Sequence, residues 1–443
     1  MRTHPICSFL LPFSLIFTGC SVDHNDPAPG PEPEQPSPGE CSDPGAAGCV
    51  AASTKPRSLT PSVPEADSKE LAVGNTTFAL DLYRQVSAEP GNLFYSPYSV
   101  SSALAMTYAG ARGETAEQMA TALRFTLPQE RLHPAFNALD LALASRGEGA
   151  EGQDGEGFRL NVANALWGQK DYFYVPEFLD VLAVNYGAGM NLVDFIQASG
   201  EAREIINGWV AERTEDRIKD LLPDGFLTSS TRLVLTNAIY FNAAWQFPFE
   251  EERTAPGDFT LPDGSTVSVP MMAGVEQVPY GEGDGYQALE MPYDGGELSM
   301  VLVLPSDLGA FESGLDRARL EGVLGSLEER SVQIGLPKFE FESTLDLIPP
   351  LEELGMPMAF TSEADLSGIN GQGGLYISGV IHKAFVSVNE AGTEAAAATA
   401  VGAGVTSAPE PAAIRFDRPF LFFIRDIATS AVLFAGRVAN PSE

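Results

Sequence analysis

The sequence has few of the side chains that most enzymes use for catalysis. Its 443 residues include only four cysteines and four histidines. No cysteine follows Cys49, so the rest of the chain offers neither a thiolate nucleophile nor a zinc–thiolate site. His4 and His24 lie near the N-terminus, so a catalytic histidine in the main part of the chain has to be His133 or His382.

The motifs of common enzyme classes are missing too. The chain has no G-x-S-x-G nucleophile motif, no H-E-x-x-H zinc motif and no G-x-x-x-x-G-K phosphate-binding loop. No G-x-G-x-x-G motif follows a predicted strand. A hydrolase anchored in a cell envelope is therefore the least favoured class of function. We expect no enzyme, no metal ion and no cofactor.

Basic residues are scarce relative to acidic ones. The chain has 26 lysines and arginines against 60 aspartates and glutamates, which gives a formal net charge of -34. Such a charge repels phosphate backbones, heparin-like polymers and anionic lipid headgroups. We expect no nucleic-acid partner, and we interpret the acidity as a surface charge that keeps the protein soluble.

The first 20 residues resemble an export signal. Arg2 precedes an apolar run over residues 6–17, which is too short to span a bilayer and is typical of a signal-peptide core. Small residues before Cys20 resemble the bacterial lipoprotein signal, in which this cysteine is lipidated and becomes the mature N-terminus. Ser21 is typical of an outer-membrane lipoprotein if the cell has two membranes, and ordinary secretion is the alternative. The sequence predicts export, with a lipid anchor as the only attachment to a membrane.

Residues 21–68 are rich in proline, glycine, alanine, serine and acidic side chains. Such a segment buries too little apolar surface to offset the entropy lost on ordering, so a disordered linker is predicted. It contains Cys41 and Cys49, and an exported protein meets the oxidising conditions in which a disulfide between them forms. The folded domain is predicted to run from residue 69 to residue 443.

Hydrophobic spacing predicts an early group of helices followed mostly by strands. The predicted helices cover residues 71–87, 100–112, 114–123 and 201–213. The predicted strands cover residues 158–164, 233–237, 298–304 and 331–336. Because no linker signal separates these segments, they indicate one large α+β domain.

A stretch of small residues over 388–411 is unusual for a globular interior. Its alanines favour a helix by propensity, but Gly392, Gly402 and Gly404 interrupt the run, and it lacks large apolar side chains that would dock such a helix. The apolar residues in 414–424 and 431–438 predict buried strands after it. A flexible loop between two β elements is therefore predicted.

This loop and several other segments resemble one known family. The sequence from Val388, V-N-E-A-G-T-E-A-A-A-A-T-A, is similar to the reactive-loop hinge of inhibitory serpins, and residues 414–424 are similar to the C-terminal signature of that family. Further serpin-like blocks occur in family order at residues 92–99, 110–115, 164–167, 206–210, 235–241, 336–339, 354–356 and 364–367. The resemblance extends from about residue 71 to residue 441. It implies an α+β serpin fold, one large domain with helices packed around three β-sheets and an exposed reactive loop at about residues 390–413.

The resemblance implies a monomeric, irreversible inhibitor of serine-type endopeptidases. In this family the target protease cleaves the loop, is trapped as a covalent acyl-enzyme and is carried along as the hinge inserts into the central sheet. The implied hinge residues are Glu390, Gly392, Thr393, Glu394, Ala395, Ala396, Ala397, Ala398 and Thr399. Alternate residues from Thr393 onward are small and uncharged, as insertion between strands requires. A non-inhibitory serpin, acting as a binding or chaperone-like module, is the alternative.

Family spacing also gives an expected reactive bond. Counting from Gly392 places it between Thr406 and Ser407, whereas counting back from Phe416 places it about two residues later, near Ala408. We follow the count from the hinge, because insertion constrains that side of the loop. The small uncharged residues here favour elastase-like or subtilisin-like proteases over trypsin-like ones, which need a cation in the substrate.

Five further positions match residues that the family keeps where the central sheet opens. Ser96, Ser99, Asn237 and His382 match a buried hydrogen-bonded cluster, and Trp245 matches an aromatic residue beneath the point where the loop enters. Ordinary core roles are equally compatible with these residue types, namely a satisfied polar network and a packed tryptophan.

Overall fold

Long apolar runs in the second half of the chain form strands, and amphipathic segments before them form helices. The computed structural model describes residues 49–147, 159–393 and 411–443, which all belong to the unit Pro36–Glu443. Within these ranges, no helix combines the length and the apolar character needed to cross a membrane.

Ten α-helices occur in the described ranges: α1 (Glu65–Val86), α2 (Pro97–Tyr108), α3 (Gly113–Ala122), α4 (Gln129–Ala144), α5 (Pro176–Tyr186), α6 (Phe195–Arg213), α7 (Leu308–Ser313), α8 (Arg317–Gly325), α9 (Ile348–Glu353) and α10 (Ser367–Asn370). Short 3-10 helices lie at Glu251–Arg253 and Pro357–Phe360. The four helices predicted from the sequence correspond to α1, α2, α3 and the second part of α6.

Sixteen strands occur in the same ranges: β1 (Cys49–Ala51), β2 (Leu93–Tyr95), β3 (Arg159–Gln169), β4 (Met190–Val193), β5 (Leu233–Ala244), β6 (Ala255–Thr260), β7 (Thr266–Gly283), β8 (Tyr286–Pro292), β9 (Leu298–Pro305), β10 (Glu328–Pro337), β11 (Phe339–Asp346), β12 (Gly379–Val388), β13 (Gly392–Thr393), β14 (Ala412–Arg415), β15 (Phe420–Asp426) and β16 (Val432–Val438). Every strand predicted from the sequence overlaps one of these elements.

The first sheet has seven strands in the order β1-β4-β3-β5-β13-β12-β11. Its central strand, β5, is buried at every residue, which explains why its sequence is mostly apolar and does not alternate with exposed polar residues. β5 pairs antiparallel with β3 and parallel with β12. The two-residue strand β13 lies between β5 and β12 at one end of that pair.

The second sheet has nine strands, eight of them in the order β14-β10-β7-β8-β9-β15-β16-β2, with β6 paired to β7. The family resemblance implies three sheets. In the part of the chain that the structure describes, two of the three expected sheets are joined into this nine-stranded sheet. Strand β7 joins them, because it pairs with β10 along much of its length and with β8 over the last four residues of β7.

Helix α2 lies in the core and contacts both sheets. It contacts β3 and β5 of the first sheet and β16 of the second, and nearly all of its residues are buried. The helix begins at Pro97, and the Ser96 side chain caps it by accepting a hydrogen bond from the Ser99 amide at 3.1 Å. The cap fixes the first turn of α2.

Residues 49–58, here called the N-terminal strap, are ordered where the sequence predicts a disordered linker. Strand β1 extends the seven-stranded sheet by pairing antiparallel with β4. The Ser53 hydroxyl donates to Asp180 of α5 at 2.5 Å, and the Lys55 ammonium lies 2.7 Å from the same carboxylate. Arg57 donates to the Asn137 side chain of α4 at 2.9 Å. The folded part of the chain therefore begins well before residue 69.

A glycine lets the strap approach the sheet closely, and the strap begins at a disulfide-bonded cysteine. A Cβ atom at Gly189 would lie only 2.7 Å from the Ala51 carbonyl oxygen, so this position requires glycine. Cys49, the first residue of β1, is disulfide-bonded. The other cysteines lie outside the described residues, so its pairing with Cys41 stays a prediction.

Candidate functional site

The seven-stranded sheet contains a pair of strands that is joined at one end and separated at the other. β5 and β12 pair directly from Val234 with Gly379 to Tyr240 with Phe385. Beyond this point they separate and β13 lies between them, so that Gly392 faces Ala244 on β5. A strand that entered the sheet at this place would extend β13 by separating the remaining β5–β12 pairs.

The chain reaches this gap through a tight turn after β12. The Asn389 amide donates to the Gly392 carbonyl at 2.9 Å, and the Asn389 side chain accepts from the Ala391 amide at 2.9 Å and from the Gly392 amide at 3.3 Å. A Cβ atom at Gly392 would lie 2.3 Å from the Ala243 carbonyl oxygen, so glycine is required where β13 passes between its neighbours.

Thr393 is the last described residue of the hinge, and it is 1% exposed. Its hydroxyl lies 2.8 Å from the hydroxyl of Tyr293. The Tyr293 ring stacks on the Trp245 ring with centroids 4.7 Å apart and an interplanar angle of 8°. The Trp245 indole N–H donates to the Asn389 carbonyl at 3.1 Å, so Trp245 contacts both the turn and the tyrosine that holds Thr393.

Glu390 anchors the base of the hinge through an ion pair. Its carboxylate lies 2.8 Å from the Lys338 ammonium and accepts a hydrogen bond from the Thr254 hydroxyl at 2.7 Å. Burial raises the pKa of Glu390, but these two hydrogen bonds outweigh burial and leave the pKa below its ordinary value. The group is therefore ionised at neutral pH.

A buried polar cluster lies where β5 and β12 are still paired. Asn237 and His382 are cross-strand partners, and their side chains hydrogen-bond to each other. The Asn237 amide also donates to the Ser99 hydroxyl at 2.7 Å, and that hydroxyl donates to Asn164 on β3 at 2.8 Å. The Ser96 backbone amide donates to Nε2 of His382 at 3.1 Å. The structure thus brings together the four residues that the sequence analysis placed in one cluster.

These contacts fix the protonation state of His382. Because the Ser96 amide donates to Nε2, that nitrogen accepts, and the proton resides on Nδ1, which donates to the Asn237 side-chain oxygen. The residue is fully buried, and burial lowers its pKa to about 3. Both ring nitrogens are used in hydrogen bonds, and the one that Nε2 accepts requires the neutral ring.

The structure describes only part of the predicted site. Glu390, Gly392 and Thr393 lie together at the end of the β5–β12 gap, with Trp245 beside them. The other residues predicted for the hinge, the reactive bond and the lipid anchor lie outside the described residues: Glu394, Ala395, Ala396, Ala397, Ala398, Thr399, Thr406, Ser407 and Cys20. In the part of the chain that is described, no group of three acidic, histidine or cysteine side chains is placed to hold a metal ion.

Sequence reasoning missed several residues that complete the site. Asn164 and Lys338 lie inside blocks that resemble the family, 164–167 and 336–339, but received no role. Asn389 likewise lies inside the hinge motif that starts at Val388 but received no role. Tyr293 carried no signal of its own, since a single tyrosine after a strand is usual and the contact between Tyr293 and Thr393 spans 100 residues of sequence.

Comparison with known proteins gives one consistent result. A family model described as serpin, serine protease inhibitor, matches residues 73–441. The leukocyte elastase inhibitor of Sus scrofa is 41% identical over 387 residues, which cover 84% of this chain and all of the relative. An uncharacterised serpin-like protein of Thermococcus kodakarensis is 38% identical over 437 residues, which cover 97% of both chains.

A solved structure agrees with these matches. Serpin48 from the insect Tenebrio molitor, described as highly specific, superposes with a TM-score of 0.74 at 33% identity and covers 84% of this chain and 98% of that one. The α+β fold predicted from the sequence is thereby confirmed.

Proposed function

The chain belongs to the serpin family, and from this premise we propose that it is a single-use inhibitor of serine-type endopeptidases and not an enzyme. Its proposed partner is a target protease, held in a covalent acyl complex by one inhibitor monomer. The observation that carries the proposal is the hinge, because β13 already occupies the first two positions of an additional strand between β5 and β12.

The proposed reaction begins as ordinary proteolysis. The hydroxyl oxygen of the target's catalytic serine attacks the carbonyl carbon of Thr406, and the peptide bond to Ser407 breaks. The new amino group of Ser407 takes a proton, and the protease remains joined to Thr406 through an ester. The freed hinge then continues from β13 into the sheet and carries the protease with it before water hydrolyses the ester.

The hinge sequence is suited to this movement. Thr393 is small, uncharged and already buried, and alternate residues after it, Ala395, Ala397 and Thr399, are equally small. A charged side chain in these positions would have to be buried without a partner, which is costly. About a dozen residues at roughly 3.3 Å each extend for roughly 40 Å, enough to form a long strand of the sheet.

The polar cluster lies on the route of insertion. Ser96, Ser99, Asn237 and His382 hold β5, β12 and the start of α2 together, so the hydrogen bond between Asn237 and His382 has to break as the strands separate. We assign this cluster the role of keeping the sheet closed until the loop is cleaved. Trp245 has the corresponding role at the entry point, since it contacts the turn that precedes β13.

The proposed targets are elastase-like or subtilisin-like proteases. Val405, Thr406 and Ala408 are small and uncharged, which fits binding pockets that accept small residues rather than a pocket that requires a cation. The relative from Sus scrofa is named for inhibition of leukocyte elastase, which supports the same class of target.

The test is formation of a complex that survives SDS. Incubation with an elastase and with a subtilisin should give a covalent product of the two chains, and mass spectrometry of the released C-terminal fragment should locate the cleaved bond at 406–407. Thr393→Arg should be cleaved without forming the complex, because arginine does not fit beside Tyr293. Thr266→Arg, at an exposed position at the start of β7, is the matched control and should inhibit like the natural sequence.

Cleavage of the natural sequence without any stable complex, for every protease of these two classes, would contradict the proposal. It would favour a non-inhibitory serpin that acts as a binding or chaperone-like module.

We further propose that the protein is exported as a lipoprotein with its lipid on Cys20 and that the lipid is its only attachment to a membrane. The proposal is supported by the apolar run over residues 6–17 and the small residues before Cys20. In a two-membrane bacterium the outer membrane is the proposed location. Mass spectrometry of the mature N-terminus should find a lipidated Cys20, and an unmodified N-terminus would indicate ordinary secretion instead.

A further inference from the structure

The Tyr293 side chain contacts Thr393 in β13, the inserted part of the hinge. Tyr293 follows β8, is 1% exposed, and lies between the Trp245 ring and the Phe241 ring, whose centroid is 5.2 Å away at an interplanar angle of 71°. Burial raises the pKa of its phenol above the ordinary value, so the O–H group keeps its proton. Its hydroxyl bonds to the Thr393 hydroxyl at 2.8 Å.

The surrounding contacts fix the position of the Tyr293 hydroxyl and that of its hydrogen-bond partner, Thr393. The two flanking rings restrict the tyrosine ring, and the Trp245 amide donates to the Ala391 carbonyl at 2.8 Å, which places the hinge relative to the same tryptophan. Thr393 is paired with Val388 on one side and with Ala243 on the other. A shift of β13 by one residue would point the Thr393 side chain to the opposite face of the sheet and break its hydrogen bond to Tyr293.

We infer that Tyr293 is a positioning residue for loop insertion. Through its bond to Thr393, it keeps the first residues of the hinge between β5 and β12 in the uncleaved molecule and fixes their register. After cleavage, insertion then continues from a strand that is already paired, instead of having to find the gap first. The inference rests on the proposed function, since it names a residue that the proposed reaction needs.

If Tyr293 has this role, loss of its hydroxyl slows the start of loop insertion without slowing loop cleavage. A general loss of stability would not distinguish these two rates. Without the tyrosine hydroxyl, the hinge leaves the gap more often, so insertion starts later and more acyl-enzyme is hydrolysed. The attack on the reactive bond does not require the inserted hinge, and a released hinge lengthens the accessible loop. More inhibitor is therefore consumed per protease molecule inactivated, while the rate of loop cleavage does not fall.

The first experiment uses no protease. Amide hydrogen exchange of the full chain should be faster at Thr393 and Trp245 in Tyr293→Phe than in the natural sequence. A net hydrogen bond of ordinary strength corresponds to an increase of about two- to tenfold in hinge opening. Tyr174→Phe is the matched control, because Tyr174 is also buried and its hydroxyl donates to a backbone carbonyl, that of Gln169 at 2.9 Å. This control should leave exchange at the hinge unchanged.

The second experiment measures inhibition of a protease that forms the covalent complex. Tyr293→Phe should increase the ratio of hydrolysed to trapped acyl-enzyme by about two- to tenfold, and so raise the number of inhibitor molecules consumed per inactivated protease, with no decrease in the rate of loop cleavage. Thr393→Val should have the same effect, and the double variant should be no worse than either single one, because both changes remove one bond.

The two proposals fail in different ways. If the natural sequence forms no covalent complex, the proposed inhibitory function fails, and the role of Tyr293 in insertion fails with it. If the natural sequence inhibits while Tyr293→Phe matches it in both hinge exchange and inhibitor consumption, only the role of Tyr293 is overturned. Additive effects of the two single changes in the double variant would also overturn that role.

Discussion

The two sheets differ in the kind of side-chain contact that stabilises each of them. Where β5 and β12 of the seven-stranded sheet are still paired, Asn237 and His382 lie at the centre of a cluster of polar side chains joined by hydrogen bonds. In the nine-stranded sheet, aromatic rings stack directly: Phe94 lies 5.0 Å from Phe434 and 5.6 Å from Phe422. Hydrogen bonds can be exchanged for new ones when a strand enters, whereas packed rings cannot separate without leaving a cavity. The first sheet is therefore suited to opening and the second to remaining fixed.

The largest effect is expected in the fixed sheet. Phe422 is fully buried and contacts the ring of Phe94 on β2 and that of Phe339 on β11, the edge strand of the seven-stranded sheet, so Phe422→Ala should lower the free energy of unfolding by about 3–5 kcal/mol. The loss should be similar in the intact and the loop-cleaved chain, because insertion does not change this sheet. Chemical denaturation of both forms is the measurement. A loss confined to one of the two forms would show that the nine-stranded sheet also changes on insertion.

A smaller and more selective effect is expected at the base of the hinge. Glu390→Ala removes the ion pair with Lys338 and the hydrogen bond from Thr254. Because the Lys338 side chain is 39% exposed, water compensates part of the loss, and the intact chain should be destabilised by about 1–2 kcal/mol. Hinge exchange should accelerate as well. Arg330→Ala, at an exposed position on β10, is a control that should change neither quantity.

The closed part of the sheet should also respond to pH through its buried histidine. Burial lowers the pKa of His382 to about 3, below the ordinary value of 6.5, so the unfolded chain binds a proton first as the pH falls. Stability should therefore decrease between about pH 6.5 and pH 3, with His382 contributing at most about 1.4 kcal/mol per pH unit.

His382→Asn isolates this contribution. Within that pH range its unfolding free energy should fall less steeply than that of the natural sequence. His133, whose pKa burial lowers to about 4, remains in both proteins and so cancels in the comparison. Equal slopes for the two proteins would contradict a neutral, buried His382.

The smallest effect is expected at the N-terminal strap. Asp180→Ala removes the acceptor of Ser53 and the ion pair with Lys55, but the Lys55 side chain is 60% exposed. The cost should be at most about 1 kcal/mol in the intact chain, measured by thermal unfolding. Glu177→Ala on the same helix is the control and should have no measurable effect. A loss above 3 kcal/mol would contradict a weak, largely exposed attachment of the strap to α5.

Local patterns predicted the elements of this fold better than they predicted contacts between distant segments. Apolar runs identified β5, β9 and β10, and the hinge was recognised because small residues and glycines follow Val388 in a distinctive order. The strap was not predicted, because it has no large apolar side chain besides Val50 and belongs to a segment, 21–68, whose composition is typical of a linker. Its order depends on β4 and on residues far away in the sequence, such as Asp180, which lies 127 residues from Ser53.

In the candidate site, too, the sequence predicted individual residues better than the contacts between them. Ser96, Ser99, Asn237 and His382 could be named from motifs, but the direction of each hydrogen bond, and hence the tautomer of His382, required the structure. Tyr293 could not be identified from sequence, since its importance comes entirely from the side chains of Thr393 and Trp245 beside it.

Unfolding of the chain before and after loop cleavage tests the central claim most directly. If the hinge inserts from β13 into the β5–β12 gap, the cleaved natural sequence should have a higher Tm than the intact one, because the sheet gains a strand. Cleaved Thr393→Arg should show little or none of this gain. An equal or lower Tm after cleavage of the natural sequence, with the cut verified by mass spectrometry, would contradict insertion.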